Sequence, residues 1–579
     1  MKAIKYSLAY QIILVLCALV LSACSSNDKE QVPATIFYGG EIVTMEGDMP
    51  EYVSAVVVED DSIVFVGNKE EGLKMYPNSI EVDLKGMTMF PGFIEPHAHP
   101  VSIGALILAS EIIAPHEWRM PHRTFPAVVG KENYLAALKK IVEAKEETGE
   151  TVLVWGYHKS WHGDLTLKDI DLATGNIPVI IWQRSTHEIY LNSACAKKYG
   201  IKKGILKEKE QVDWENLHFW ERAYQEIKGG ALQPFFGDEK VYKRGMKRLT
   251  KMMLKNGLIA MSEPSFPNSK FETEYELLKA ETDSANAYGM YLIAGFPEQF
   301  VMGKSNEEYK KRIESLPQYN TKHIKFLPNQ YKTFADGAIY SLALQLQDGF
   351  FGCPHCHAEW IIPPKEGKEL FDYWWDQDYK IHIHITGDLA FEKYLQFTEA
   401  AMERNPRENH RTTFHHIGLF SAEQAERAAN LGVEASANPY YLWALADKYS
   451  EVGLGPERAQ NMVAMQELVS RNIPLSLHSD FSMAPAEPLT LAWVAANRIV
   501  ASGKVMNPEQ RISVFEALKG VTTDAARTFE MENELGTISV GKQASFTILK
   551  ENPFKTAPEK LKDIKVYGVV YKGRLIENK

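Results

Sequence analysis

The stretch MTMFPGFIEPHAHP, residues 87–100, runs from a short apolar segment through Pro91 and Gly92 into two histidines, His97 and His99. In an extended segment, residues i and i+2 point to the same side, so the two imidazoles converge on one point. Converging imidazoles are donors that zinc and other borderline divalent ions prefer. The stretch therefore predicts one part of a metal site at the end of a short strand.

The middle of the chain, residues 91–534, alternates apolar strand-like runs with helical stretches such as FEKYLQFTEAAMERN. The strand-like runs are TVLVWGY (151–157), IPVIIWQ (177–183), YLIAGF (291–296), IKFLP (324–328), KIHIHITG (380–387), TTFHHIG (412–418), VEASANP (433–439) and IPLSLHSD (473–480). Repeated strand–helix units predict an α/β fold with a parallel sheet. About eight such units fit a (β/α)8 TIM-like barrel, in which the chemistry lies where the strands end.

Both ends of the chain are rich in short strand-like segments. Residues 34–90 contain ATIFYGGEIVTM and YVSAVVVEDDSIVFVG, and residues 535–579 contain GTISVGKQASFTILKEN and IKVYGVVYKGRLIE. Alternation of β-branched residues, broken by Gly, Asp and Asn, is typical of strands and turns. We therefore expect the two ends to pair into one composite β-sandwich domain beside the barrel.

Residues 1–23 have the order of a signal peptide, with a positively charged start, an apolar middle and small residues at the end. The tetrapeptide LSAC, residues 21–24, resembles a bacterial lipoprotein box, in which Cys24 carries lipid and becomes the first mature residue. Residues 24–33 then form a polar tether. These features predict an exported, membrane-anchored lipoprotein that faces the periplasm, and Ser25 favours the outer membrane by resemblance. An uncleaved transmembrane anchor is the alternative.

Charge and cysteine content restrict the partners. The formal net charge is −11 and no long basic run is present, which argues against nucleic acid. Cys353 and Cys356 form CPHC, which in an exported protein fits a disulfide, a redox pair or half of a metal site. The expected partners are a small-molecule substrate and a lipid anchor, and a homo-oligomer is left open.

Later strand ends also carry imidazoles and a carboxylate. KIHIHITGD gives His384, with His382 one pleat deeper on the same face, TTFHHIG gives His415 and His416, and IPLSLHSD ends in Asp480. Several imidazoles and one carboxylate at strand tips suit zinc or another borderline divalent ion. The alternative is a set of unrelated histidines in the core or at the surface, which the recurrence of such residues at successive strand ends disfavours.

These motifs resemble the amidohydrolase superfamily. PGFIEPHAHP is similar to its PGFxDxHxH opening, and HITGDLAFEKYL, FHHIGLFSAEQAERAANLGVEASANPYYL and LHSDFSMAPAEPL follow in the same order. EALKGVTTDAARTFEMENELGTISVGKQASFTIL resembles its C-terminal stretch. IIWQRSTHEIYLNSACAKKYGI and YKTFADGAIYS are similar to segments of amidohydrolase family 3, of the YtcJ-like kind. The resemblance covers nearly all of the mature chain.

The resemblance implies a set of metal ligands: His97, His99, Lys332, His384, His416 and Asp480. Lys332 matches a lysine that in relatives can bridge two metals as a carbamate, because the CO2 adduct of an amine is anionic and the free amine is not. The expected cofactor is zinc, as one or two ions. Such an ion would acidify a bound water, and Asp480 could accept the proton and deliver it to the leaving nitrogen.

Two of these assignments have rivals. Lys325 in HIKFLP competes with Lys332, which the family-like KTFADG favours, and one metal is favoured over two if Lys332 is unmodified. His415 competes with His416, which the spacing to IGLF favours. Glu95 stands where the superfamily motif has Asp, so a longer acid precedes the ligands.

Aromatic and basic residues at or just beyond strand ends are candidates for substrate binding: Trp155, His158, Arg184 and Tyr440. Aromatic rings beside an arginine suit a flat or apolar acyl group that carries a carboxylate. The alternative for each aromatic residue is packing in a large barrel. His187 matches a histidine of the family's GHxxxxNS, and the resemblance implies that it polarises the scissile carbonyl.

The sequence thus predicts a metal-dependent hydrolase that cleaves a C–N amide-type bond in an N-acyl, N-formyl or cyclic amide substrate. Asp480 and His187 are the expected catalytic residues. An isomerase or a hydrolase of another bond is an alternative on the same fold. A non-catalytic surface lipoprotein that binds a ligand is an alternative from another class, and such a protein would be expected to lose some of the ligands.

Overall fold

A computed structural model describes residues 33–145, 150–207, 209–264, 266–267, 271–283, 287–295 and 305–578. The predicted signal peptide, Cys24 and almost the whole of the predicted tether lie outside these residues. Within the described ranges, no helix is both long enough and apolar enough to cross a membrane. The described chain has a mixed α/β architecture built around one parallel sheet.

Eight parallel strands, β1–β8, form the central sheet in the described part of the chain. They are β1 Phe93–Glu95, β2 Leu258–Glu263, β3 Met290–Gly295, β4 Ile324–Phe334, β5 Lys380–Ile385, β6 Thr413–His416, β7 Glu434–Ala437 and β8 Leu475–Leu477. Their order in the sheet follows their order in the chain. The prediction of an eight-stranded parallel barrel is therefore confirmed.

The barrel is nearly closed by backbone contacts between the segments that follow β1 and β8. His99 N–H donates to the Phe481 carbonyl over 2.7 Å, and Asp480 N–H donates to the His97 carbonyl over 3.0 Å. Ala98 and Phe481 also form a parallel bridge. Closure at this point brings residues 97–99 and residue 480 together, although they are 381 to 383 positions apart in the chain.

Helices alternate with the barrel strands along the chain, and others follow the last strand. They include Glu239–Asn256, Phe271–Thr282, Asn306–Ser315, Pro364–Asp376, Asp388–Arg404, Ala422–Leu431, Tyr440–Glu451, Gly455–Gln460, Met465–Val469, Pro488–Asn497, Val514–Lys519 and Thr523–Thr528. Local sequence determines where several of these helices begin and end. Ser421 and Gln424 form a capping box at the start of Ala422–Leu431, and Gly432 ends that helix at φ 75°, a left-handed conformation that glycine adopts without strain.

A large insert, residues 96–257, separates β1 from β2. It contains a sheet of Glu111–Ile112, Val152–Tyr157, Val179–Gln183, Glu188–Leu191, Val212–Asp213 and His218–Trp220, a hairpin of Trp118–Arg119 and Thr124–Phe125, and helices Ala105–Ala109, Lys131–Glu143, Lys159–His162, Leu167–Thr174, Ser193–Lys198, Glu221–Gly229 and Gln233–Phe236. The expectation that TVLVWGY and IPVIIWQ are barrel strands is therefore wrong. A buried apolar strand has the same pattern in any sheet, so periodicity alone did not assign these two runs.

Strands from both ends of the chain share one sheet. They are Thr35–Val43, Tyr52–Glu59, Ser62–Gly67, Ile80–Asp83, Thr88–Pro91, Phe546–Leu549, Val566–Tyr571 and Arg574–Glu577, and the short helix Lys69–Met75 lies between two of them. Phe546–Leu549 joins the two ends by pairing antiparallel with Thr88–Pro91. The ends thus combine as one sheet, while the second face of a sandwich and the domain boundaries stay predictions.

The CPHC motif lies in the loop before Pro364–Asp376. Cys353 and Cys356 form a disulfide with their Cα atoms 5.4 Å apart. Cys195 is a buried free thiol in the described chain. Of the three interpretations of CPHC, the structure contains the disulfide.

Candidate active site

Three predicted ligands meet where β1 and β8 end. One ligand atom from each of His97, His99 and Asp480 can be chosen so that all three lie within 4.8 Å of one another. Asp480 Oδ1 is 3.3 Å from His99 Nε2 and 3.9 Å from His97 Nε2. Two imidazoles and one carboxylate at this separation could hold a metal ion.

Two further predicted ligands border this group. The His384 and His416 rings have centroids 4.3 Å apart, and the His97 and His416 rings have centroids 4.5 Å apart. His416 Nδ1 lies 3.6 Å from Asp480 Oδ2. Imidazoles from β5 and β6 therefore extend the group formed at the closure of the barrel.

The two rival lysines occupy different places. Lys332 lies within β4 and is 1% exposed, and its ammonium lowers the pKa of His97, His384 and His416, after the larger effect of burial. Lys325 forms a salt bridge with Glu534, and a third of its side chain is exposed. Of the two, only Lys332 lies beside the imidazoles.

Five of the predicted ligand atoms are buried and have no hydrogen-bond partner within the described protein: His97 Nε2, Lys332 Nζ, His384 Nε2, His416 Nε2 and Asp480 Oδ1. His99 Nε2 approaches Asp480 Oδ1 without the alignment of a hydrogen bond. Leaving a buried polar atom unsatisfied costs about 1–3 kcal/mol, so five in one place need an explanation. A bound divalent cation would satisfy the imidazole and carboxylate atoms, so the donor set fits a metal.

A chain of hydrogen bonds runs from Gln330 through His382 and His415 to His97, and we call it the histidine relay. Gln330 Oε1 is 3.0 Å from His382 Nε2, His382 Nδ1 is 2.9 Å from His415 Nε2, and His415 Nδ1 is 2.8 Å from His97 Nδ1. Burial, followed by nearby lysine charge, lowers the pKa of all three histidines well below the ordinary value. Each ring is therefore neutral and carries one N–H.

The direction of the relay follows from Gln330. Its amide nitrogen donates to the Phe529 carbonyl, so its oxygen faces His382 and accepts from His382 Nε2–H. His415 Nε2–H must then donate to His382 Nδ1, and His97 Nδ1–H to His415 Nδ1. His97 Nε2 is left with a bare lone pair, the form that binds metal. Both nitrogens of His415 are used, so His416 has the better geometry for a ligand.

The backbone departs from regular strand geometry at two of the ligands. His416 has φ 75° and Asp480 has φ 54°, which is the left-handed region that non-glycine residues rarely adopt. In a regular strand, His415 and His416 would point to opposite faces. The left-handed turn at His416 lets both rings reach the same interior, and such strain concentrates at functional sites.

Two buried carboxyl groups, those of Glu263 and Glu95, hold the ligand segments. Glu263, at the end of β2, lies with Oε1 3.0 Å from His99 Nδ1. Burial alone lowers the pKa of His99, but the Asp480 and Glu263 carboxylates outweigh it and raise the pKa to about 9. Glu95 accepts hydrogen bonds from Ser479 N–H over 2.9 Å and from Ser479 Oγ–H over 2.6 Å. The longer acid at position 95 thus fixes the residue that precedes Asp480.

His187 lies in the insert, in the turn between Val179–Gln183 and Glu188–Leu191. Its Nδ1 is 3.0 Å from Glu221 Oε2, and about a quarter of the side chain is exposed. Burial lowers the pKa of His187, but the Glu221 carboxylate outweighs that effect and the pKa lies above its ordinary value. His187 is also close enough to His384 to lower the pKa of that ring.

Three of the predicted substrate-binding residues belong to the insert, and Tyr440 begins the helix that follows β7. Arg184 is fully buried, and its guanidinium carbon is 4.8 Å from the Tyr340 ring centroid and 5.9 Å from that of Tyr440. His158 is buried and caps the helix Lys159–His162 by accepting from Ser160 N–H. Trp155 packs edge-to-face against Trp118 in the core, with centroids 4.8 Å apart.

Several residues around the site were not anticipated. Glu263, Glu221, Gln330 and Tyr340 contact predicted site residues but were not assigned a role from the sequence. Glu263 could have been predicted by the rule that identified the ligands, because it is the last residue of the strand LIAMSE. The other three have no local signal, since their roles depend on contacts between distant segments.

Known proteins resemble this chain along most of its length. A model of the amidohydrolase family matches residues 81–576. The chain is 25% identical over 570 residues to a putative amidohydrolase, YtcJ, of Bacillus subtilis, covering 94% of this chain and 99% of that protein. It is 22% identical to an N-substituted formamide deformylase of Arthrobacter pascens, covering 90% and 94% of the two chains.

A solved structure shares the fold. The crystal structure of an uncharacterised metal-dependent hydrolase from Pyrococcus horikoshii superposes with a TM-score of 0.70 at 18% identity, covering 91% of this chain and 99% of that chain. This likeness shows the fold, and the family match extends over most of the sequence. The prediction of the family is therefore confirmed: the chain belongs to the amidohydrolase family of hydrolases.

Proposed function

We propose that the protein is a zinc-dependent hydrolase that cleaves the C–N bond of an amide-type substrate, of the N-acyl, N-formyl or cyclic amide class. The observation that carries the proposal is that His97, His99 and Asp480 meet at one point, in a region where five predicted ligand atoms are buried without a hydrogen-bond partner in the described protein. Membership of the amidohydrolase family supports it. The similarity to a protein named as a formamide deformylase supports the type of bond.

The proposed ligands of the ion are His97, His99, His384, His416 and Asp480, with Lys332 as the residue that would join two ions. When bound, a divalent ion supplies Lewis acidity, which polarises a carbonyl and makes a water molecule a stronger acid. For Lys332 to be a ligand, its neutral amine would add to CO2, forming an N–C bond and releasing one proton. Its buried and unpartnered Nζ supports that role.

Two residues of the chain are proposed to move protons and orient the substrate. Burial raises the pKa of Asp480, but the imidazole of His99 and its neighbours outweigh this, so its carboxylate stays ionised and can accept a proton. His187, held by Glu221, is the proposed donor of a hydrogen bond to the scissile carbonyl. The proton taken up by Asp480 would then pass to the leaving nitrogen.

The test combines metal analysis with a panel of substrates. Purified protein is loaded with zinc, its metal content is measured, and it is assayed on N-acyl amino acids, N-substituted formamides and cyclic amides. We expect about one or two zinc ions per chain, and a loss of about 10²–10⁴-fold in kcat for Asp480→Asn. Metal-free protein, or a variant with unchanged turnover, would refute the mechanism.

The two lysines provide a matched pair of variants. Lys332→Met should lower metal content and activity, because it removes the buried amine beside the imidazoles. Lys325→Met should leave both unchanged, since Lys325 contacts Glu534 near the surface. Equal effects of the two substitutions would contradict the proposed role of Lys332.

A further inference from the structure

Arg184 is a buried cation without a carboxylate partner among the described residues. It is 0% exposed, and one Nη1–H donates to His116 Nδ1 over 3.0 Å. Nη2–H donates to the Met483 carbonyl over a long 3.4 Å, and Nε has no partner. Burying a charge without a counter-charge is costly, so such a residue needs a reason.

A second buried arginine, Arg498, has a structural role and serves as a comparison. Arg498 is also 0% exposed, but its Nε, Nη1 and Nη2 donate to four backbone carbonyls over 2.7–3.1 Å. Its hydrogen-bonding capacity is largely used by the fold. Arg184 has only one short contact and a bare Nε, so the fold alone does not satisfy its guanidinium.

Within the described residues, no carboxylate forms a salt bridge with Arg184, although, beside the larger effect of burial, Asp480 and Glu487 are near enough to raise the pKa of Tyr340 and Tyr440, respectively. Two histidines, His116 and His158, also lie near Arg184, and burial, followed by the Arg184 charge itself, keeps the pKa of both far below the ordinary value. Tyr340 and Tyr440 contribute aromatic rings, which attract a cation weakly. The Tyr340 hydroxyl is buried beside the guanidinium, and it makes no well-aligned hydrogen bond in the described protein.

A tight turn connects this cluster to the proposed metal ligands. Met483, whose carbonyl accepts from Arg184, donates its N–H to the Asp480 carbonyl, so residues 480–483 form a turn. The first and last Cα atoms of such a turn lie within about 7 Å of each other. A substrate amide beside Asp480 could thus carry a second group, a few bonds away, to Arg184.

We propose that Arg184 and the Tyr340 hydroxyl bind a carboxylate of the substrate, which makes the substrate class an anionic amide such as an N-acyl amino acid. This inference rests on the proposed function and deepens it. A carboxylate supplies the charge that the cluster lacks, and it accepts hydrogen bonds from both the guanidinium and the hydroxyl. Arg184 is then a residue that determines substrate specificity.

The test compares acids with their neutral counterparts. The N-formyl, N-acetyl and N-benzoyl derivatives of glycine, leucine and phenylalanine are paired with the corresponding C-terminal amides. Binding of each pair to zinc-loaded protein is measured by calorimetry, and kcat/KM is measured where turnover occurs. Wild-type protein should prefer at least one acid over its amide by 10-fold or more. Arg184→Met should abolish that preference, because it should weaken binding of the acid at least 10-fold more than binding of the amide.

Conservative variants keep the inference testable if Arg184→Met does not fold. Arg184→Lys should retain part of the preference for the acid, because it keeps the charge but loses the planar fork. Tyr340→Phe should reduce the preference by less than Arg184→Met does. Equal binding of acids and amides by wild-type protein, binding of no acid, or an unchanged preference in the variants would overturn the inference. Cleavage of neutral amides in any of those cases would leave the proposed function standing.

Discussion

Replacing Gln330 with leucine removes the acceptor at the buried end of the histidine relay. The lost contact is 3.0 Å long, and His382 is fully buried, so no water replaces the amide oxygen. Retaining the present tautomers would leave His382 Nε2–H unsatisfied, at a cost of about 1–3 kcal/mol. In the metal-free protein the relay can avoid this cost by reversing its direction.

Reversing the direction of the relay changes which nitrogen of His97 carries the proton. With the proton on His382 Nδ1, His415 accepts at Nε2 and donates from Nδ1, so His97 accepts at Nδ1 and carries its proton on Nε2. That nitrogen then has no lone pair for a metal. Metal binding must restore the original direction and meet the cost of about 1–3 kcal/mol, which corresponds to about 5- to 150-fold weaker affinity. Replacing a residue that hydrogen-bonds to a metal ligand commonly lowers metal affinity or activity by about 10- to 100-fold.

The assay is competition for zinc between the protein and a chelator of known affinity. Gln330→Leu should raise the Kd for zinc by about 10- to 100-fold while the protein remains folded by circular dichroism. Gln330→Glu is the matched control, because it keeps an acceptor at the same place and should preserve the affinity. A folded leucine variant whose Kd stays within about twofold of wild type would refute the tautomer reasoning.

Three other outcomes are expected. Glu263→Gln should weaken zinc binding measured by the same competition, since it removes the carboxylate beside His99 Nδ1, and unchanged affinity would exclude a supporting role for Glu263. Burial, partly offset by Glu274, lowers the pKa of Lys228 to about 8, so the unfolded chain binds more protons between pH 8 and 10.5 and stability should rise with pH over that range. Lys228→Met should remove this rise and increase Tm at pH 7, and a lower Tm would contradict it. Cys24→Ala should move the protein from the membrane fraction to the soluble fraction on cell fractionation, whereas continued membrane association would refute lipid anchoring through Cys24.

The strand-end rule anticipated much of the candidate site. The HxH pattern, the histidines of β5 and β6 and the carboxylate after β8 each follow a strand in the sequence, and the closed barrel brings them together. Lys332 was predicted only from the family resemblance, because it lies within a strand and not at a strand end. The choice of Lys332 over Lys325 agrees with their burial.

Features that depend on pairing between distant segments could not be predicted from the sequence. Which sheet receives a buried apolar strand is decided by its neighbours, so Val152–Tyr157 and Val179–Gln183 could not be separated from barrel strands by periodicity. The relay joins residues on three strands to His97, which follows β1. The positive φ at His416 breaks the alternation of side chains on which the prediction relied. Glu263 was missed because LIAMSE follows the insert and was not recognised as a strand.

The most direct test of the metal site is an anomalous difference map, measured at the zinc absorption edge, from crystals grown with zinc. We expect a strong peak where His97 Nε2, His99 Nε2 and Asp480 Oδ1 converge, with His384 and His416 facing it. A map without a peak among these side chains, or with zinc bound only elsewhere on the protein, would contradict the proposal that this group of residues is a metal centre.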